Sequence, residues 1–154
     1  MKLDVRAKLA ELGKQLPVAA RPVAAYVPAI RTGNLVFTAG QLPLVDGQMA
    51  GVGKVGAEIS QDRAKELAEV CILNAIAAVG TVADVNKIVK IVRVVGYVNG
   101  IPGYIEQPAV VNGASELLLA IWGDAAKHAR SAVGVAELPR NSPVEIELTV
   151  EIEE

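Results

Sequence analysis

Histidine and cysteine are almost missing from this chain of 154 residues: His128 and Cys71 stand alone. Zinc sites draw three or four N or S ligands into one place, so no metal centre is expected. A single cysteine excludes an internal disulfide and fits a reducing compartment. Aromatic residues amount to 3%, no basic block occurs, and the formal net charge is −2. Surfaces that bind nucleic acid rely on clustered lysine and arginine, so no nucleic-acid partner is expected. The longest uncharged runs, Thr32 to Val45 and Val70 to Ala83, fall short of the ~20 residues a membrane-spanning helix needs. At the start, Asp4 and Glu11 lie among Lys2, Arg6 and Lys8 with no apolar core of signal-peptide type. These absences predict a cytoplasmic protein.

Small aliphatic residues are what the chain has in excess. It is 52% hydrophobic, with a mean hydropathy of +0.38. That is high for a soluble monomer of this size and predicts that a partner subunit covers part of the apolar surface. The length suits one domain over residues 1–154, with residues 1–17 as an N-terminal helical extension.

Val5, Leu9, Leu12 and Leu16 recur at helical spacing behind Asp4, a plausible cap, and Pro17 is expected to end that helix. Two β-rich segments, Val23 to Ile30 and Asn34 to Gly40, are expected to form a hairpin about Thr32-Gly33-Asn34. Asp46-Gly47 reads as another turn, and Gly51, Gly53 and Gly56 as a loop or irregular edge strand. Ser60 caps the clearest helix, whose apolar stripe runs from Ala64 to Val79 before Gly80. Ile88 to Val98 reads as a strand with Ile88, Val92, Val94 and Val98 on one face and Val89, Ile91, Val95 and Tyr97 on the other. A strand apolar on both faces must be covered on both. A further helix starts at Gln107-Pro108 and carries Val110, Val111, Ala114, Leu117, Leu118, Ile121 and Trp122 inward until Gly123-Asp124. Val144 to Ile152 alternates strictly apolar and polar, as a final strand would. The order β-β-(β)-α-β-α-β-β predicts an α+β fold with two long helices on one face of a sheet. The other face is then expected to meet another subunit.

Few residues could carry chemistry. A Ser-His-Asp arrangement would have to use His128. Gly51-Val52-Gly53-Lys54-Val55-Gly56 looks like a phosphate loop but lacks the Lys-Ser/Thr pair, so a glycine-rich turn is expected. Arg130 stands among Ala129, Ser131, Ala132 and Val133. Its fork matches a carboxylate in bidentate fashion, and either a structural ion pair to a nearby glutamate or a bound ligand would suit it. Glu145 belongs to a series with Glu147, Glu151 and Glu153 that usually marks the solvated side of an edge strand. Asn112 reads as surface polar and Tyr26, beside Pro28, as half-buried core.

Three separated blocks then fall in a familiar order. Tyr26-Val27 precedes Gly33-Asn34 and Thr38-Ala39-Gly40-Gln41-Leu42-Pro43; Ala109-Val110-Val111-Asn112 opens a helix; and His128-Ala129-Arg130-Ser131 leads through Leu138-Pro139 to Val144-Glu145-Ile146-Glu147. Together they resemble the Rid, or YjgF-like, family of imine and enamine deaminases, also labelled the endoribonuclease L-PSP family, and specifically a longer, less characterised subgroup. The resemblance implies a chorismate-mutase-like homotrimer around a central barrel, with pockets at subunit interfaces. It implies hydrolysis of small 2-imino or enamine acids to 2-oxo acids and ammonia, without a cofactor. By the same resemblance Arg130 holds the substrate carboxylate and Glu145 positions the attacking water. Tyr26, Asn112, Ser131 and the backbone around Ala39, Gly40 and Ala132 shape the pocket, and His128 is a possible further lining residue.

This chain departs from the family in carrying Ala39 for the usual serine, Ala132 for the usual cysteine and His128 for the usual proline. Those changes favour a more apolar substrate, a weaker activity, or an alternative in which a non-catalytic trimer binds a small carboxylate metabolite. Direct RNA cleavage, which the endoribonuclease label suggests, sits poorly with the acidic balance.

Overall fold

The computed structural model describes residues 2–21 and 24–154. Its centre is a five-stranded sheet in the order β1-β2-β7-β5-β6, made of β1 (Ala29–Thr32), β2 (Leu35–Thr38), β5 (Ile88–Asn99), β6 (Ala129–Val135) and β7 (Val144–Ile152). The pairing of β5 with β6 is parallel and all other pairings in the sheet are antiparallel. A small hairpin of β3 (Leu44–Val45) and β4 (Gln48–Met49) turns at Asp46 and Gly47, both with positive φ. Three helices complete the fold: α1 (Val5–Glu11), α2 (Gln61–Val79) and α3 (Gln107–Trp122). The α+β architecture is the expected one, with α2 and α3 packed on one face of a mixed sheet.

Each long helix begins and packs for a local reason. Ser60 Oγ accepts the Arg63 N–H at 3.1 Å, closing the free end of α2, and Pro108 occupies the first turn of α3. The two helices approach closely at Gly113, where an added Cβ would collide with the Lys65 carbonyl oxygen on α2. Gly113→Ala is therefore expected to destabilise the fold by ~1–3 kcal/mol, read as a lower midpoint in urea unfolding.

The leading helix is shorter than its apolar spacing suggests. Asp4 Oδ1 caps it through the Ala7 N–H at 3.0 Å, and Val5 and Leu9 are fully buried. Gly13, at φ +72°, then turns the chain so that the Lys14 N–H bonds back to the Leu9 carbonyl at 2.8 Å. The helix stops at Leu12, well before Pro17, and Leu16 reaches the core from an irregular segment. In the first hairpin the strand begins at Ala29, later than expected, and Tyr26 precedes it in a bend; Val23 lies outside the described residues.

Strand β5 corrects another expectation. Irregularities in its pairing with β7 between Ile88 and Lys90 and between Ile91 and Arg93 move Ile91 to the helix side. The buried set is Ile88, Ile91, Val94, Gly96 and Val98, with Asn99 at the end, while Val95 and Tyr97 face away. A bulge of this kind resets the two-residue alternation. Along β7 the alternation is unbroken, with Val144, Ile146, Leu148, Val150 and Ile152 buried beneath the helices. No helix covers the opposite face among the described residues; there Ile30, 60% exposed, lies across from Phe37, 40% exposed.

Candidate functional site

Arg130 lies on β6, an edge strand, in register with Val94 of β5. Val94 is fully buried beneath the helices, so Arg130 shares that face of the sheet. Its guanidinium reaches α3, where Nη1 donates to Asn112 Oδ1 at 2.8 Å and to Ser115 Oγ at 3.2 Å. Asn112 and Ser115 are three residues apart and so project from one side of the helix. Ser115 Oγ in turn lies 2.9 Å from His128 Nε2, and His128 Nδ1 lies 2.6 Å from the Ala126 carbonyl. All of these partners are formally neutral when His128 is unprotonated. Among the described residues Arg130 makes no ion pair, so the structural salt bridge that its surroundings suggested is absent. Nη1 is engaged, while Nε and Nη2 find no protein acceptor among the described residues. That free edge is the one that accepts a carboxylate in two parallel hydrogen bonds.

His128 is held below the ordinary histidine range, first by burial and further by the Arg130 charge, against the opposing pull of the Ala126 carbonyl. Ala132 sits two residues beyond Arg130 on the same side, against Gly96. Gly96 admits no side chain because Val111 of α3 occupies that space. Ser131 points the other way, where its Oγ accepts from Arg93 Nη2 at 3.1 Å.

A second group of predicted residues gathers elsewhere. Tyr26, Ala39 and Gly40 line a concavity of about 320 Å³ together with Gln41, Pro139 and Arg140. Reciprocal backbone bonds between Gln41 and Ile146, at 2.8 and 3.1 Å, tie this segment to β7. They bring Gly40 under the Glu145 carboxylate so closely that a Cβ on Gly40 would stand 2.6 Å from Oε1. A methyl group there would push the Glu145 carboxylate aside, and no positive φ demands glycine. Glu145 lies opposite Tyr97 on β5, on the face away from α2 and α3. Its carboxyl is raised above the usual carboxylate range by burial and, secondarily, by Glu147. Tyr97 donates its hydroxyl to Glu147 Oε1 at 3.1 Å, which distinguishes the two glutamates: Glu147 has a partner on β5 and Glu145 overhangs Gly40. Nor is this an edge strand, since β7 pairs on both sides.

Arg130, Asn112 and His128 are thus brought together, and Tyr26, Ala39, Gly40 and Glu145 form a second group. The two groups sit on opposite faces of one sheet, because paired positions share a face and Arg130 is in register with buried Val94 while Glu145 is in register with outward Tyr97. Ser115 is an addition that its spacing from Asn112 could have revealed. Arg140, at φ +57° in the turn after Pro139, is another, and no pattern in the sequence pointed to it.

The glycine-rich stretch has a different task. Lys54 Nζ donates to Asn99 Oδ1 at 2.7 Å and to the Ala136 carbonyl at 2.6 Å, and pairs with Glu137 at 3.3 Å. Its charge is consumed in latching the stretch to the end of β6, as a structural turn would be. Among the described residues no three His, Cys, Asp or Glu side chains gather as metal ligands, and no helix is long and apolar enough to cross a membrane.

The α+β architecture agrees with comparison to known proteins. The family model described as "YjgF/chorismate mutase-like, putative endoribonuclease" matches residues 6–152. The chain belongs to the YjgF/chorismate mutase-like family. The Trypanosoma cruzi protein TCP17 is 35% identical over 150 residues, covering 96% of this chain and 94% of that protein. A solved structure of a protein of unknown function from Agrobacterium tumefaciens is 39% identical with a TM-score of 0.88, covering 97% and 92% of the two chains. One from Shewanella oneidensis MR-1, described as a "putative endoribonuclease", is 30% identical with a TM-score of 0.91, covering 96% and 99%.

Proposed function

We propose that this YjgF-family chain hydrolyses small 2-imino and enamine acids to 2-oxo acids and ammonia, in pockets that neighbouring copies complete within a homotrimer. The observation that carries this reading is the free Nε–Nη2 edge of a half-buried Arg130 whose other nitrogen is held by neutral groups. A cation so placed is complementary to the carboxylate of a 2-imino acid. The separation of Arg130 and Glu145 on opposite faces supports a shared site, because one sheet cannot present both to one small molecule. The uncovered face bearing Ile30 and Phe37 supports burial against another copy.

In the proposed reaction Arg130 holds the carboxylate and so fixes the adjacent C=N carbon. Glu145, with its raised carboxyl, is suited to take a proton from the attacking water and return one to the departing nitrogen. The water oxygen bonds to the imine carbon as the C=N π pair moves to nitrogen; Glu145 passes first one and then the other water proton to that nitrogen, the C–N bond breaks as the C=O bond forms, and ammonia leaves. An imine carbon is already electrophilic, so no cofactor is required, and the rate gain comes from positioning and charge complementarity. Tyr26 and Asn112 shape the pocket, and the Gly40 backbone lets Glu145 approach.

The loss of polar groups at Ala39 and Ala132 favours a second reading, a trimer that binds a small carboxylate metabolite without turnover. The endoribonuclease description belongs to relatives; the net charge of −2 gives no basis for gripping an RNA backbone here. The test is 2-oxo acid formation from imines generated in situ by an amino-acid oxidase, with semicarbazide trapping the surviving imine. Acceleration by the protein across at least one imine supports the deaminase. No acceleration, with 2-oxo acids still bound, supports the metabolite-binding trimer.

A further inference from the structure

We propose that His128, acting through Ser115, is a positioning residue for Arg130, presetting the guanidinium so that its Nε–Nη2 edge is ready for an anionic ligand. The inference rests on Arg130 as the carboxylate anchor.

The proton inventory of the chain of contacts has one self-consistent solution. A carbonyl oxygen only accepts, so the 2.6 Å contact between His128 Nδ1 and the Ala126 carbonyl places a hydrogen on Nδ1. In the neutral ring Nε2 is then an acceptor, and Ser115 must donate its hydroxyl hydrogen to it across 2.9 Å. With that hydrogen committed, the lone pairs of Ser115 Oγ remain for Arg130 Nη1 at 3.2 Å, beside Asn112 Oδ1 at 2.8 Å. Both Nη1 hydrogens are thereby used by neutral acceptors, and no counter-charge competes with a ligand for the rest of the fork.

Protonation of His128 would reverse the bond to Ser115 and set a second cation against the oxygen that holds Arg130. Burial and Arg130 both disfavour that state. The other charged groups on neighbouring elements are occupied with each other: Glu116 of α3 pairs with Lys65 at 3.0 Å, and Asp124 with Lys127 at 2.9 Å. Arg130 is the charge that lowers His128, while Arg93 on β5, in register with Ala129, turns to Ser131 on the other face.

A long side chain ordered before its ligand arrives forfeits less entropy on binding. Loss of the relay is thus expected to weaken affinity roughly 3- to 10-fold, mainly in KM, with kcat little changed. The experiment is calorimetric titration of 2-oxobutanoate into wild type, Ser115→Ala, His128→Phe, the double variant and Ser115→Thr, with Arg130→Ala as reference. Both single variants should weaken binding to a similar degree. The double should be no worse than either, because the two residues act in series, and Ser115→Thr, which keeps the hydroxyl, should bind nearly as wild type. Imidazole nitrogen spectra of wild type should show the hydrogen on Nδ1. Addition of 2-oxobutanoate should raise the His128 titration midpoint, since the ligand carboxylate offsets Arg130, and should leave it unmoved in Arg130→Ala. Wild-type affinity in both single variants, additive losses in the double, or a hydrogen on Nε2 in the neutral ring would overturn the relay. Undiminished binding by Arg130→Ala would instead remove the anchor assignment on which it rests.

Discussion

Arg130→Ala is expected to lower kcat/KM for small 2-imino acids by at least ~100-fold while leaving the fold nearly as stable as before. The loss follows from two charge-assisted hydrogen bonds to the substrate carboxylate, each contributing about 1.5–3 kcal/mol, where 1.4 kcal/mol is a factor of ten. The stability follows from what Arg130 touches. Asn112 and Ser115 are half-buried on α3, so water can replace Nη1 at a cost of ~1 kcal/mol. Arg130→Lys should recover only part of the loss, because a point charge cannot reproduce the fork. The pair of measurements is steady-state kinetics in the oxidase-coupled assay and thermal unfolding. A large drop in melting temperature, or an Arg130→Ala chain that runs as a monomer where the unsubstituted chain assembles, would make Arg130 a structural residue.

Glu145→Gln is expected to separate turnover from binding. Proton transfer by a positioned side chain contributes about 10²- to 10⁴-fold, and the amide keeps the shape over Gly40 but cannot accept the proton. 2-Oxo acid affinity should stay within a few-fold of wild type. The pH profile carries the sign of the shift. Because burial and Glu147 raise the Glu145 carboxyl, kcat/KM should fall with acidity through a midpoint above the ordinary carboxylate range. That limb should vanish in Glu145→Gln. For stability the same shift acts in the opposite sense: the folded state holds this proton more tightly than the unfolded one. Its contribution is fully present below the unfolded carboxylate range and is lost as pH rises through the folded midpoint. At neutral pH the neutral glutamine should therefore unfold no earlier than wild type. Unchanged rates in Glu145→Gln would take the glutamate out of the mechanism.

How far the sequence reaches can be judged at particular residues. Ser60, the stripe from Ala64 to Val79 and Pro108 mark α2 and α3 closely, because caps and 3.6-residue periodicity are local. Leu16 misleads for the same reason: its spacing continues a helix that Gly13 has already ended through its positive φ. The face of Ile91 depends on a bulge against β7, which no alternation within β5 can record. Around the site, residue order brought out Arg130 and Glu145, and strand parity was legible within each strand. Their opposite orientation was not, since it requires knowing that β6 runs parallel to β5 and that β7 is central. Nor could residue types tell Glu145 from Glu147; Tyr97 engages one, and Gly40 admits the other. Ser115 and His128 lie 13 residues apart, and only the packing of α3 on β6 makes them partners.

The most direct test mixes two variants that are each inactive, Arg130→Ala and Glu145→Gln, by co-expression with different tags and isolation of the mixed oligomers. If each pocket takes Arg130 from one copy and Glu145 from its neighbour, a pocket is intact when an E145Q chain supplies the arginine and an R130A chain the glutamate. In a mixed trimer, whichever variant is in the majority, one interface of the three is so composed, so imine hydrolysis should return to about a third of the wild-type rate. If mixed oligomers form and remain as inactive as their parents, both residues do not meet across an interface, and the shared-site assignment is wrong.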